Sequence, residues 1–178
     1  NIVEIKNSLL VQIGAVDSKN NLKKILHAIN DFKNNLEALT VVLGKYAPHR
    51  EEIKKMLSKF QNSNLIEVNK VDDMIKLYKS HNMIIGASGI SLLERISMGI
   101  YCLSFALNDN QESNAKFFKK NKIGIYGGRL DCIDISVIKS TIKKFINENK
   151  TQFIDKNKYY QLIDGKGSDR VANILKNI

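Results

Sequence analysis

The sequence predicts an α/β fold: an open, doubly wound parallel sheet of about six strands with helices on both faces. Three observations predict it. Apolar runs of strand length alternate with amphipathic stretches of helix length along the whole chain, the pattern of repeated β–α–β crossovers. Several of the runs are continuous rather than alternating, which suits strands buried on both faces of a parallel sheet. Glycine and polar residues gather just after the runs, at the strand ends beyond which such sheets bind ligands.

The first strand is Leu9 to Ile13, closed by Gly14. Leu22, Ile25, Leu26, Ile29 and Phe32 then recur at three and four, a helical stripe. The second strand is Leu39 to Leu43, closed by Gly44, with Pro48 just before a second stripe of Ile53, Met56, Leu57 and Phe60. Proline is tolerated at a helix start. The third strand, Leu65 to Val68, is weaker. Asp72 and Asp73 then stand where they can cap a helix carrying Met74, Ile75, Leu77 and Tyr78. The fourth strand, Met83 to Ile85, is closed by Gly86, and Ile90, Leu93 and Ile96 follow on the next helix. The fifth strand is Tyr101 to Ala106. The helix after it carries Phe117 and Phe118 and a basic end of Lys119, Lys120 and Lys122, which suits a helix C-terminus. A short sixth strand, Ile123 to Tyr126, precedes the longest stripe: Ile135, Ile138, Ile142, Phe145 and Ile146. One or two helices close the chain, the last from Ser168 to Leu175. No internal linker, repeat or low-complexity tract divides residues 1–178, so a single domain is expected.

The composition narrows the function classes. The chain has 178 residues, 43% hydrophobic and 26% charged, values of a globular domain rather than a disordered one. No apolar run approaches the ~20 residues of a membrane span, and no secretory signal pattern opens the chain. Cys102 and Cys132 make neither a disulfide framework nor a zinc site, so a cytoplasmic protein is expected. The net charge is +10, yet only Arg50, Arg95, Arg129 and Arg170 are arginine. The lysines are scattered over helix faces, whereas nucleic-acid binders cluster their charge and add arginine and aromatics. No specific nucleic acid is expected as a partner; a basic surface suits an anionic small molecule. The chain opens on Asn1 rather than Met, and a preceding segment in a longer protein is expected.

The candidate chemistry lies after the strands. Gly86-Ala87-Ser88-Gly89-Ile90-Ser91 joins the fourth strand to its helix. Glycines let backbone approach an anion, and a helix N-terminus offers free N–H groups and the positive end of its dipole. A phosphate or pyrophosphate fits there, and Glu94 stands within the first turns of that helix, where it can accept from a ribose diol. A tight strand-to-helix turn with Glu94 in solvent accounts for the same residues. Other nucleotide motifs fail: Gly165-Lys166-Gly167-Ser168 lacks the earlier glycine and leading strand of a phosphate loop, and Gly14 opens no dinucleotide fingerprint. His27 falls on a helical stripe, His49 at a helix start where it can meet ligand, and His81 at a helix end, where a cation is favourable. No catalytic residue, metal site or cofactor is assigned; no Ser–His–Asp order or His/Cys metal spacing stands out.

Taken together, these residues resemble the C-terminal domain of GT-B fold sugar-nucleotide enzymes. The resemblance rests on Val11 to Asn20, Val42-Leu43-Gly44 with Pro48-His49, Ile85 to Gly89 with Glu94-Arg95, Met98 to Tyr101, Asn108 to Gln111 with Ala115, and Ile163 to Ser168 with Arg170-Val171. It covers roughly residues 9 to 175. Within that superfamily the chain looks like the UDP-sugar hydrolases of pseudaminic acid synthesis, relatives of the spore-coat polysaccharide proteins and the peptidoglycan N-acetylglucosaminyltransferase. The resemblance implies a Rossmann-like domain, one half of a GT-B fold, with a UDP-sugar as ligand and an N-terminal partner domain that supplies a histidine base. It implies that Gly14 and Ala15 face phosphate, and that Gly86, Ser88, Gly89 and Ile90 form the loop whose amides, from Ser88 to Ile90, reach the pyrophosphate. Glu94 would hold the ribose hydroxyls, Asn110 and Gln111 would reach the sugar, and uracil would lie near Asn69 to Val71. Two positions depart from the family pattern: Ala15 stands where a second glycine is usual, and Ile90 where a small or hydroxyl residue is usual.

The leading expectation is thus the UDP-sugar-binding half of a hydrolase or glycosyltransferase of nonulosonic acid or surface-polysaccharide synthesis, inactive by itself. Two others stand beside it. One is a sugar-nucleotide module appended to another sialic-acid-pathway enzyme such as a cytidylyltransferase. The other is a basic binding domain without catalysis.

Overall fold

The computed structural model describes residues 5–67, 71–149 and 156–177. Its strands are β1 (Ile5–Gln12), β2 (Ala38–Val42), β3 (Ser63–Ile66), β4 (His81–Ala87), β5 (Cys102–Ala106) and β6 (Gly124–Arg129). Its helices are α1 (Asn21–Ile29), α2 (Arg50–Leu57), α3 (Val71–Ser80), α4 (Ile90–Ser97), α5 (Glu112–Asn121), α6 (Ile135–Asn149), α7 (Lys156–Leu162) and α8 (Gly167–Lys176). The strands form one parallel sheet in the order β3-β2-β1-β4-β5-β6. The chain winds outward from β1 through β2 to β3, then returns to lay β4 against the other side of β1 and winds away through β5 and β6. The order reverses between β1 and β4, and that switch point opens a crevice at the carboxyl edge.

Alternate residues of one strand feed opposite cores. Leu9, Val11 and Ile13 point to one side, with Met83, Ile85, Leu103 and Phe105 of the neighbouring strands, against the stripes of α1, α2 and α6. Leu10, Ile84 and Cys102 point to the other, against Tyr78 of α3, Leu92 and Ile96 of α4, Phe118 of α5 and Tyr159 of α7. Helices therefore cover both faces, which is why β1, β2, β4 and β5 read as continuous apolar runs. Phe105 and Phe118 are wholly buried; truncating such a side chain costs about 3–5 kcal/mol.

The expected strands and helices are present, with differences that have physical reasons. β4 starts at His81, two residues before the apolar run, so His81 is not a helix-end cation. It is a buried strand residue: its Nδ1 donates to the Leu77 carbonyl (2.9 Å) and its Nε2 faces the Thr40 hydroxyl (2.8 Å). Burial holds its pKa below the ordinary value and favours the neutral ring. β6 runs on through Gly127 and Gly128 to Arg129; glycine at 127 lets the strand lie against the Phe105 ring, which a side chain there would strike. α3 has begun by Val71, so Asp72 and Asp73 lie within its first turn rather than ahead of it. Of the two closing helices, α7 anchors through Tyr159, whose hydroxyl donates to the Ile123 carbonyl (2.9 Å). α8 buries none of its residues and exposes Val171, Ile174 and Leu175.

Candidate functional site

Two loops flank the switch point. The first runs from the end of β1 to α1. It turns at Gly14 (φ 113°) and again through left-handed Asp17 and Asn20 (φ 44° and 53°). The Asp17 carboxylate folds forward onto the start of α1: Oδ1 accepts from the Asn21 amide (2.9 Å) and Oδ2 from the Leu22 amide (2.8 Å). A carboxylate at that place satisfies two of the orphan helix N–H groups and complements the helix dipole. The loop is tied sideways as well. The Gly44 amide donates to the Ala15 carbonyl (2.8 Å), an approach that needs glycine, since a β-carbon at Gly44 would lie 2.6 Å from that oxygen. The His49 Nε2 donates to the Ser18 carbonyl (3.1 Å), and Asn20 donates to Glu52 (2.6 Å). His49 thus stands at this edge as a brace for the loop.

The second loop is short and stiff: Ser88 and Gly89 join β4 to α4. Ser88 is wholly buried. Its amide donates to the Phe105 carbonyl (2.8 Å) and its hydroxyl shares a hydrogen bond with Ser104 (3.0 Å), which also donates to the Gly86 carbonyl (3.3 Å). This corrects one expectation: the Ser88 amide is committed inside the protein and is not free for a ligand, because it continues the β4–β5 ladder. The free donors begin one residue later. Gly89 is the N-cap of α4 and brings no side chain to cap it, and no acidic residue stands in the first turn. Among the described residues the amides of Gly89, Ile90 and Ser91 have no backbone acceptor, as expected at a helix start, where the positive end of the dipole lies.

The remaining predicted residues stand around this mouth. Glu94 is on α4, exposed, one turn in from the start. Ile90 is 76% exposed beside it. The β5–α5 loop closes the third side. Gln111 accepts from the Leu107 amide through Oε1 (3.1 Å), and its Nε2 lies 3.4 Å from where a β-carbon on Gly89 would sit. Asn110 is exposed next to it on a single 3₁₀ turn, Asp109–Gln111. Arg129, at the end of β6, clamps that turn through Asp109 and lies 3.8 Å from Glu112 and 2.7 Å from Asp131. The guanidinium holds the Asp131 carboxyl well below the usual carboxylate range. A cleft of about 330 Å³ lies between the β1 loop and Leu107–Asn108, walled by Gly14, Ala15, Val16 and Asp17. Gly14, Ala15, Gly89, Ile90, Glu94, Asn110 and Gln111 thus share one edge; Gly86 and Ser88 lie just behind it. Of the uracil segment, residues 69 and 70 lie outside the described residues, and Val71 belongs to α3.

Two residues of this edge carried no sequence signal strong enough to single them out. Asp17 caps α1 from four residues ahead of the helix, outside the usual cap position. Gln12, at the last position of β1, accepts from the Tyr78 hydroxyl (2.6 Å) and donates to Met74 Sδ (3.8 Å), a polar tie between β1 and α3. Arg95 is buried on the inner face of α4; its spacing from Leu92 and Ile96 places it there. Among the described residues no cluster of His, Cys, Asp and Glu has metal-ligating geometry, and no helix is long and apolar enough to cross a membrane. A second cavity of about 370 Å³, between α1 and α6, is lined by Lys23, Lys24 and Lys139. Those ammonium groups are already engaged, by Glu52, the Leu130 carbonyl and Asp31.

No family model matches the chain. The spore coat polysaccharide biosynthesis protein SpsG of Bacillus subtilis is 27% identical over 174 residues, covering 96% of this chain and 50% of that protein. The UDP-GlcNAc 2-epimerase of Neisseria meningitidis, solved with UDP-GlcNAc bound, superposes with a TM-score of 0.72 at 18% identity, over 97% of this chain and 45% of its own. MurG of Acinetobacter baumannii superposes with a TM-score of 0.71 at 16% identity, over 99% and 51%. The chain spans about half the length of these relatives. Its fold is Rossmann-like and corresponds to one half of a GT-B enzyme.

Proposed function

We propose that this chain is the UDP-sugar-binding half of an enzyme of polysaccharide biosynthesis. One observation carries the reading: of the two helices that start at the switch point, α1 is already capped by an internal carboxylate, while α4 presents uncapped amides behind a glycine. Of these two helix starts, α4 is the one left open to an external anion. The diphosphate sits on the amides of Gly89, Ile90 and Ser91, with Gly14 and Ala15 across the crevice. Glu94 accepts from the ribose hydroxyls. Asn110 and Gln111, on the turn held by Arg129, face the sugar. SpsG acts in spore coat polysaccharide biosynthesis, and the Neisseria epimerase holds UDP-GlcNAc on the same fold; both support the assignment.

The finer part of the proposal is hydrolysis or transfer at the anomeric carbon of a sugar bound for nonulosonic acid or surface polysaccharide. A reacting sugar needs a base within hydrogen-bond reach of its attacking group. The histidines give none at the α4 mouth: His27 is exposed on α1, His49 braces the β1 loop, and His81 is buried at the opposite end of β4. With a histidine base supplied by the other half of a protein of the relatives' length, as the resemblance implies, residues 1–178 bind without turning over.

Calorimetry with UDP, CMP and AMP tests the ligand. The expected result is selective binding of UDP; equal affinity for all three, or none, sinks the proposal. A nucleotide-release assay on UDP-sugars tests the division of labour, and robust turnover by this chain would reject it.

A further inference from the structure

Among the described residues Arg95 is the largest wholly buried side chain, and it is charged. Its Nη2 donates to the Ala87 carbonyl (2.6 Å), while among the described residues Nε and Nη1 have no partner at hydrogen-bond geometry. No carboxylate among the described residues pairs with it; its near neighbours are the Tyr78 hydroxyl and the Cys102 thiol. A buried cation is costly unless an anion compensates it. The fold nevertheless makes room for this one: a β-carbon at Gly86 would occupy the place of the guanidinium. Gly86 pairs with Gln12 across the β1–β4 register, so the charge lies directly under the switch point.

The Ala87 carbonyl that Arg95 grips belongs to the same peptide as the Ser88 amide, and Gly89 follows. The guanidinium is therefore about two peptide units, on the order of 7 Å, behind the first free amide of α4. At that range, through protein rather than water, a fixed charge acts on an anion with little screening. A carbonyl anchor alone needs no guanidinium; a fully buried charge without a carboxylate partner among the described residues exceeds that task.

We infer that Arg95 is a positioning residue whose uncompensated buried charge, held behind the Ala87–Gly89 turn, makes the α4 mouth select a diphosphate over a neutral nucleoside. The inference rests on the UDP-binding reading and adds the group that sets its charge preference. A bound diphosphate is the missing counter-charge, so Arg95 acts on the ligand through the loop without touching it.

The test compares UDP, uridine and inorganic pyrophosphate on the wild-type protein, Arg95→Met and Arg95→Lys, by calorimetry and, for weak ligands, NMR titration. Arg95→Met is expected to weaken UDP and pyrophosphate about tenfold and leave uridine unchanged. Arg95→Lys, which keeps the charge, recovers most of the loss. An unchanged UDP-to-uridine ratio in Arg95→Met, with UDP still bound, overturns this inference and leaves the UDP reading standing. Pyrophosphate binding that depends on Arg95, without UDP binding, does the reverse. Wild-type protein that binds neither overturns both. Should Arg95→Met fail to fold, the wild type still decides. With four arginines the guanidinium Nε spectrum is sparse, and the Arg95 resonance must move with pyrophosphate and stay still with uridine. A resonance indifferent to pyrophosphate rejects the role.

Discussion

The loops after β1 and β4 stand side by side at the switch point, and they solve the same problem in opposite ways. Each must satisfy the first amides of the helix it leads into. The β1 loop does so internally: it is long, exposed and turned through two left-handed residues, and it spends that length bringing the Asp17 carboxylate onto α1. The β4 loop is two residues long, buried at Ser88 and fastened to β5, and it leaves the α4 amides open. The lesson is that a helix N-terminus at a sheet's carboxyl edge is a ligand site only when the chain has not supplied its own anion. The same contrast holds for charge: the carboxylate at α1 sits on free amides, whereas the cation behind α4 has no counter-ion among the described residues.

The sharpest way to break the comparison is to give α4 what α1 has. Gly89 has extended φ/ψ values suited to an N-cap, and its nearest neighbour is the movable end of Gln111, so aspartate fits. Gly89→Asp is expected to cap α4, stabilising the fold by only a few tenths of a kcal/mol relative to glycine. It should weaken UDP by about a hundredfold, on the order of 3 kcal/mol, through occupied amides and like-charge repulsion. Thermal denaturation and calorimetry on one preparation check both halves; UDP affinity that survives the aspartate refutes the placement of the diphosphate.

Glu94→Gln keeps the α4 mouth and removes only the charged acceptor. UDP affinity should fall by ~1.5–3 kcal/mol, the value of hydrogen bonds to a charged group, and the 2′-deoxynucleotide should lose less. Equal losses for the two nucleotides would remove Glu94 from the ribose.

Asp17→Ala is the converse of the aspartate insertion. Loss of two cap bonds should destabilise the protein by ~1–2 kcal/mol in chemical denaturation, with UDP affinity unchanged. A fall in affinity larger than the fall in stability would mean that the β1 loop, not the α4 loop, holds the phosphate.

The smallest effect lies at the far end of β4. Burial lowers the His81 pKa in the folded protein, so the unfolded chain binds the proton more readily. The contribution of His81 is fully present above the unfolded value of about 6.5. It is lost as pH falls from there toward the lowered folded value. Melting temperature should therefore slope downward as pH falls below 6.5, and His81→Gln should flatten that slope while leaving UDP affinity at pH 7 alone. An unchanged slope would show that His81 does not carry it.

Much of the fold could be read from residue order, because parallel strands buried on both faces must be continuously apolar and the helices that cover them must be striped. The strand ends were blurred where polar residues are buried with partners: His81 enters β4 because Thr40 and the Leu77 carbonyl satisfy its ring. α7, too short and polar for a strong stripe, is fixed by Tyr159 reaching the Ile123 carbonyl. The site was readable as a set of loops but not donor by donor. Nothing in Ser88-Gly89-Ile90 distinguishes a spent amide from a free one; the ladder to Phe105 does.

Local periodicity and glycine spacing were enough to define the α/β class, the segments that become strands and helices, and the loops that reach the carboxyl edge, since each depends on neighbours within a few residues. The strand order, the Asp17 cap that closes α1, the commitment of the Ser88 amide and the unpaired charge of Arg95 depend on groups brought together across the sheet. They follow from how tens of residues of intervening chain pack, which short-range pattern does not encode, and they are what turn one of two similar loops into the candidate site.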